Sequence, residues 1–261
     1  MALNNYSAFY YGHTITRSNR ALNFKEPSVS ATELVGAVAY GSFTLTEFGN
    51  RIAAAMSSAG SQEYIITLNR TTRKFTISSV VAFDLLIDTG LNKSISVFTL
   101  LGFTGADLTG SNTYTADTAS GSAYITQTPI RNLSDFSKNK EKSEAQVKTT
   151  PGGITEVISY SVLERLSGDL PLITNYVPQR YIRATVTGIE EAADFMDYAI
   201  EKAPLEFVYD YTLPNNFVSC ILDKTKKSSK GVGYEMKERI KDSLPGYYEL
   251  NGLVFLKIEV R

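Results

Sequence analysis

The chain has 261 residues, 43% hydrophobic and 20% charged, with a net charge of −1. It reads as globular, long enough to bury a large core in one domain or two, and lacks the basic excess of most nucleic-acid binders. One histidine (His13), one cysteine (Cys220) and no tryptophan exclude a zinc site of His and Cys ligands, an intrachain disulfide, a CxxC redox pair and a cysteine-held iron–sulfur cluster.

The opening stretch, MALNNYSAFYYGHT, has neither the basic nor the apolar segment of a signal peptide, so synthesis and folding in a cytoplasm are expected. No run of 18 apolar residues follows, so no membrane-spanning helix is expected. Any Ser-His-Asp or Cys-His mechanism must run through His13, whose intrinsic pKa suits a general base. No GxSxG elbow accompanies it, and a strand-end or surface position is the expectation.

Thr14–Phe24 and Glu33–Tyr40 read as short strands. The segment GSFTLTEFGNRIAAAMSSAG then carries the clearest helix signal. Thr44 and Glu47 have capping-box spacing, and Phe43 and Phe48 suit a hydrophobic staple. Leu45, Phe48, Ile52, Ala55, Met56 and Ala59 fall on one face, and Gly60 is placed to stop the helix. Glu63–Asn69 and Arg73–Ser79 flank Arg70-Thr71-Thr72 as a hairpin. Val80–Ile87 reads as a further strand, and Ser94 as the cap of a short helix carrying Val97, Phe98 and Leu101.

From Thr104 to Thr128 the sequence is rich in Thr, Ser, Gly and Asn, and from Asn132 to Gly153 it is charged and ends in Pro-Gly-Gly. Neither stretch has a continuous apolar face, so both read as loop or linker. Beyond them, Ile154–Leu166 and Arg180–Val186 read as strands. A second capping box at Thr187 and Glu190 opens a helix with Ile189, Ala192, Ala193, Met196, Ala199 and Ile200 along one side, ended by Pro204. Leu205–Tyr211, Asn216–Leu222 and Gly252–Val260 read as strands, and Gly233–Leu244 fits either a strand or a helix.

The predicted fold class is α+β: two β-rich units, each a mostly antiparallel sheet with one amphipathic helix. The predicted division is an N-terminal α+β domain over 1–130 with a polar loop at 104–129, a charged linker or extended loop over 131–153, and a C-terminal β-rich domain with one helix over 154–261.

Several groupings suggest chemistry and also have a plainer reading. Glu206 and Asp210, four apart on a strand, share a face and suit a carboxylate pair for glycoside hydrolysis; more often such a pair marks the solvated face of a half-buried sheet, which is the expectation here. Asp194 and Asp197 fit the polar side of the second helix. Lys138, Lys140, Lys142 and Lys148 alternate with Asp135, Glu141 and Glu144, so their field largely cancels. Lys224, Lys226, Lys227 and Lys230 form a denser patch with Asp223, suited to a hairpin tip or an acidic neighbour. Gly231-Val232-Gly233 beside Lys230 reads as a turn more readily than as a phosphate cradle. Cys220 lies in FVSCIL, the setting of a buried thiol. The sequons at Asn5, Asn69, Asn92 and Asn132 are of the kind a Ser/Thr-rich chain produces by chance. With 16 Tyr and 13 Phe, the chain has the aromatic content of interfaces and ring packing.

The blocks GSFT (Gly41–Thr44), Leu45–Ala59, Tyr64–Ser78 and LLGF (Leu100–Phe103) resemble a module of structural proteins of tailed bacteriophages and other viruses. More loosely, Ala184–Gly188, Ile189–Lys202, Leu205–Tyr211 and Leu253–Val260 resemble β-rich tail and tail-tip proteins. The resemblance implies a virion component of a tail, tail tip or baseplate, assembled as a homo-oligomeric ring, a hexamer among the options, and touching other tail proteins. It implies no catalytic, cofactor-binding or metal-binding residues, no cofactor and no enzyme activity, and the near-zero net charge predicts no strong nucleic-acid binding. Two other classes stay open: a host-surface carbohydrate-binding module using tyrosines such as Tyr114 or Tyr124, and a hydrolase using Glu206 and Asp210.

Overall fold

The computed structural model describes residues 7–125, 134–142, 146–149, 155–158, 162–173, 195–200, 204–223, 235–238 and 248–258. In chain order its elements begin with strands β1 (Ala8–Tyr11), β2 (His13–Ile15), β3 (Ala21–Glu26), β4 (Ser30–Ala37) and β5 (Gly41–Phe43). Helix α1 (Leu45–Ala59), β6 (Tyr64–Asn69), β7 (Lys74–Leu85) and the single turn α2 (Phe98–Leu101) follow. Then come β8 (Leu108–Thr115), β9 (Ser122–Ile125), β10 (Ser134–Lys142), β11 (Gln146–Thr149), β12 (Thr155–Ile158) and β13 (Val162–Ile173). Residues 195–200 are helical (α3), and β14 (Leu205–Val208), β15 (Phe217–Leu222), β16 (Glu235–Glu238) and β17 (Tyr248–Lys257) complete the described chain. This is the α+β, mostly antiparallel architecture expected.

A five-stranded sheet runs β4-β3-β7-β6, with β8 on the other side of β7. Helix α1 closes it. Thr44 Oγ1 accepts from Glu47 N at 3.1 Å, half of the predicted capping box; the Glu47 carboxylate turns instead to Arg51, 3.4 Å away. Leu45, Phe48, Ile52 and Met56 are buried against Phe24, Tyr64, Phe75, Ile77 and Phe83. Two strands predicted separately, Arg73–Ser79 and Val80–Ile87, are one strand, β7, with a bulge in the middle. The short helix differs from expectation too: Ser94 lies in a 3₁₀ turn (Lys93–Ile95), and Ser96 Oγ is what accepts the Phe98 N–H, at 3.2 Å. Gly102 ends α2 at φ +88°, where a Cβ would come within 2.2 Å of Thr118 O.

The second sheet has eight strands in the order β10-β13-β17-β15-β14-β1-β9, with β16 beside β17. Strands β1 and β9 come from the first 130 residues, yet both are built into this sheet, β1 pairing with β14 on one side and β9 on the other. Period-two alternation lets it serve two cores at once. Ala8 and Tyr10 face the core of the five-stranded sheet; Phe9 faces a second core with Phe195, Met196 and Ala199 of α3. β14 follows the same rule, with Val208 toward the first core and Leu205 and Phe207 toward the second. The middle of the large sheet is thus a wall shared by two hydrophobic layers.

Two expectations are corrected here. The region 104–129, expected as a polar loop, contains β8 and β9, and 131–153, expected as a linker, contains β10 and β11. Both β8 and β10 lie at sheet edges, where a strand need bury little apolar surface and tolerates polar or charged residues. Their composition resembles that of a loop for that reason. The residue range left open at 233–244 includes a strand, β16. The second capping box, at Thr187 and Glu190, lies outside the described residues, as does the Arg180–Val186 segment.

Candidate functional site: the buried junction between the two sheets

Glu206 was expected on a solvated face. It is instead fully buried, because β14 is a central strand and its even-numbered residues point at α1 and the β6–β7 loop. Its Oε2 accepts from Arg70 Nη1 at 2.5 Å and its Oε1 from Thr46 N at 3.0 Å. Arg70 also donates to Thr46 Oγ1, and its guanidinium lies over the Phe217 ring, 3.6 Å from the centroid. One carboxylate thereby joins the β6–β7 hairpin, the N-terminus of α1 and the large sheet. A negative charge beside the first turn of a helix is favourable against its unpaired N–H groups. Tyr10 from β1 completes the junction. Burial, then the nearby Tyr211 hydroxyl, pushes its pKa up to about 12, and its hydroxyl has no hydrogen-bond partner among the described residues.

The other half of the suspected carboxylate pair is elsewhere. Asp210 lies past the end of β14 and accepts from Thr212 N at 2.9 Å and Thr212 Oγ1 at 2.7 Å, shaping a turn. Glu206 and Asp210 therefore form no dyad. The two have opposite roles, one binding a buried cation and the other closing a surface loop.

His13 stands at the start of β2, half-buried, with its ring edge-on to Phe48 at 4.9 Å. Its Nε2 lies 2.9 Å from Ser120 Oγ, and that hydroxyl donates to Leu100 O at 2.6 Å. The serine proton is therefore committed to a carbonyl, and the ring nitrogen acts as the donor to the serine oxygen. A general base would need the reverse polarity. Burial holds the His13 pKa at about 4, despite a raising contribution from the Leu100 carbonyl. The ring is neutral near pH 7 and pins β2 to the 116–121 segment.

Cys220 is buried, as its sequence suggested, and burial pushes its thiol well above the usual range. Tyr114, proposed as a sugar platform, turns inward: its ring meets Phe83 edge-on at 5.1 Å and its hydroxyl donates to Phe83 O at 2.8 Å. Asp197 is on the exposed side of α3. Asp194, Lys224, Lys226, Lys227, Lys230 and Gly231-Val232-Gly233 lie outside the described residues. Lys138, Lys140, Lys142 and Lys148 fall on β10 and β11; the side chains of these lysines and of Tyr124 are also outside the description. Among the described residues no group of three His, Cys, Asp or Glu side chains is placed to hold a metal ion, and no helix is long and apolar enough to cross a membrane.

A cleft of about 220 Å³ opens beside the Arg70–Glu206 pair, lined chiefly by Thr46, Asn50, Ile66, Leu68, Phe75 and Phe217. It is smaller than the roughly 300–1,000 Å³ of typical small-molecule sites. Sequence reasoning missed Arg70, Thr46 and Phe217 as members of one cluster. Arg70 and Glu206 are 136 positions apart, and nothing local marks them as partners. The one available signal was the apolar pattern LEFVYDY, in which Glu206 interrupts a run suited to a buried strand.

No protein-family profile and no curated protein matches the sequence. Among solved structures, the mavirus penton protein is similar over 99% of this chain and 90% of its own, with 11% identity and a TM-score of 0.29. A likeness at that level carries no functional argument.

Proposed function

We propose that this chain is a structural subunit of a virion, a tail, tail-tip or baseplate component that works by ring-like self-assembly and by contact with neighbouring tail proteins. The observation that carries the reading is a set of exposed aliphatic side chains on β6 and β7, with Ile65 57%, Val80 89% and Val81 41% exposed. Scattered exposed aliphatics are ordinary, whereas adjacent ones on a rigid face mark contact surfaces. The groups that suggested catalysis have structural work: Glu206 holds Arg70, His13 donates to Ser120, and Asp210 closes a turn. The motif resemblance to virion proteins of tailed bacteriophages supplies the setting.

The test is solution mass by light scattering over a wide concentration range, with negative-stain images of the same fractions. Rings or defined multiples of 28.7 kDa are expected. A strict monomer that binds glycans saturably on an array would replace this reading with the carbohydrate-binding one.

A further inference from the structure

Strand β4 lies at the edge of the five-stranded sheet and pairs with β3 alone. Three bonds at its borders fix which of its backbone groups that pairing uses. Val38 N donates to Arg20 O at 3.0 Å, whereas on the far side of β3 Leu86 N donates to Asn23 O and Val97 N to Ala21 O, both at 2.9 Å. Antiparallel pairs alternate between those that exchange backbone bonds and those that do not. Leu22–Gly36 and Phe24–Leu34 therefore exchange them, and Ala21–Ala37, Asn23–Val35 and Lys25–Glu33 do not. The N–H and C=O groups of Glu33, Val35 and Ala37 point away from the sheet, and none has a partner among the described residues.

Edges that stay solitary carry devices against further pairing, such as lysines, prolines or groups that occupy the free backbone. Two other edges of this chain have them. On β8, Ala116 N donates to Phe75 O at 2.8 Å, so by the same alternation Thr113 turns its backbone groups outward, and the Ser111 hydroxyl takes both, accepting from Thr113 N at 3.2 Å and donating to Thr113 O at 3.0 Å. Strand β10 carries Lys138, Lys140 and Lys142. By contrast β4, Ser-Ala-Thr-Glu-Leu-Val-Gly-Ala, has no lysine, arginine or proline. Its one charge, Glu33, is turned back onto the sheet, where it stands opposite Lys25 and accepts from Asn23 Nδ2 and from Leu91 N. That last bond brings Leu91 to the same side of the sheet as Val35, and the two side chains are 82% and 44% exposed. The charges of the Leu91 loop, Asp88 and Lys93, pair with each other. On the other face α1 seals the strand, since a Cβ at Gly36 would come within 3.1 Å of Ala55 O.

We infer that the open edge of β4 takes an extended segment of another protein as an added strand, bonded to the backbone of Glu33, Val35 and Ala37. The occupant follows from the chemistry of the edge. Its donors and acceptors recur every second residue, about 6.8 Å apart in a line, a spacing that an extended backbone matches. Backbone bonds supply the affinity in this mode of recognition, and side chains at alternate positions supply the choice of sequence. Val35 and Leu91 favour an aliphatic residue on their side of the added strand, and the engaged Glu33 leaves no free charge there to demand a cation. The inference is independent of the ring-like self-assembly proposed above, because the added strand need not come from this chain.

The experiment uses the full chain and, as probe, a fluorescein-labelled peptide of alternating threonine and valine, with the same peptide N-methylated throughout as its control. Amide exchange of the dilute chain alone should be slow at Leu34 and Gly36 and fast at Val35 and Ala37. Adding the peptide should slow Val35 and Ala37 about tenfold or more, and the N-methylated peptide should leave them unchanged. Val35→Pro removes one outward N–H without removing a ladder bond, and Val35→Lys leaves the backbone intact should the proline disturb the fold. Each should raise the peptide Kd by about tenfold, the worth of one or two hydrogen bonds. Val80→Lys, at an exposed aliphatic residue of β7, should leave Kd unchanged. Absence of binding to wild type, or equal binding by both Val35 variants, would overturn the inference. Val35 and Ala37 amides already protected in the dilute chain would overturn it too, since the edge would then be closed within the molecule. Protection that instead grows with protein concentration, alongside a rise in mass by light scattering, would assign the edge to a second copy and overturn the added strand from another protein.

Discussion

Replacing Glu206 with Gln keeps the shape of the side chain and removes its charge, and it tests whether the Arg70–Glu206 pair holds the two sheets together. Glu206 is fully buried and the Arg70 side chain is 7% exposed, so neither group can recover its hydration when the other is neutralised. Removing one member of such a pair leaves an uncompensated buried charge, which costs about 3–5 kcal/mol. The same change weakens the bond to Thr46 N at the start of α1, a contribution of a few tenths to about 1 kcal/mol. For a chain of this length about 1 kcal/mol corresponds to roughly 2–4 °C in Tm, so Glu206→Gln should lower Tm by ~10 °C or more. Arg70→Met should cost a similar amount, because the carboxylate is then stranded. The double variant should lose less than the sum of the singles, with a coupling energy of about 2 kcal/mol or more. Urea unfolding of the four proteins, with midpoints compared at constant slope, measures each quantity. Single variants that cost under about 1 kcal/mol, or a double variant equal to the sum, would show that the pair is not a structural tie.

Three further outcomes follow from particular residues. His13, held near a pKa of 4 by burial, binds a proton less readily folded than unfolded; its stabilising contribution should be complete above about pH 6.5 and be lost as pH falls toward 4. That loss, on the order of 3 kcal/mol at the acid end, should vanish from the Tm-against-pH curve of His13→Gln. Cys220, buried with its thiol pushed up, should not react with an aromatic disulfide reagent in the native protein and should react fully in denaturant; rapid native labelling would contradict its burial. Gly102→Ala forces a side chain into a left-handed position and against Thr118 O, so it should cost about 1–3 kcal/mol or more by urea unfolding, whereas Gly105→Ala, with open space around the Cβ position, should pay only for its backbone angle.

The sequence was most legible where a structural signal is local. The Thr44 cap, the apolar stripe of α1 and the β6–β7 hairpin each depend on residues within a few positions of one another, and all three stand in the structure. Edge strands were illegible for a physical reason. β10, with its run of lysines, and β8, with its serines and threonines, satisfy backbone groups on one side only and need no apolar face, so periodicity cannot separate them from loops. The candidate site was illegible for another reason. Glu206 reads as an ordinary strand carboxylate until β1 and β14 are paired, because only then does its face become interior. Local composition fixes which residues can enter a core, whereas long-range pairing decides which are left outside it. The Arg70–Glu206 junction, whose members stand 136 positions apart, depends on the second kind of information, and a search for catalytic motifs along the chain passes over it.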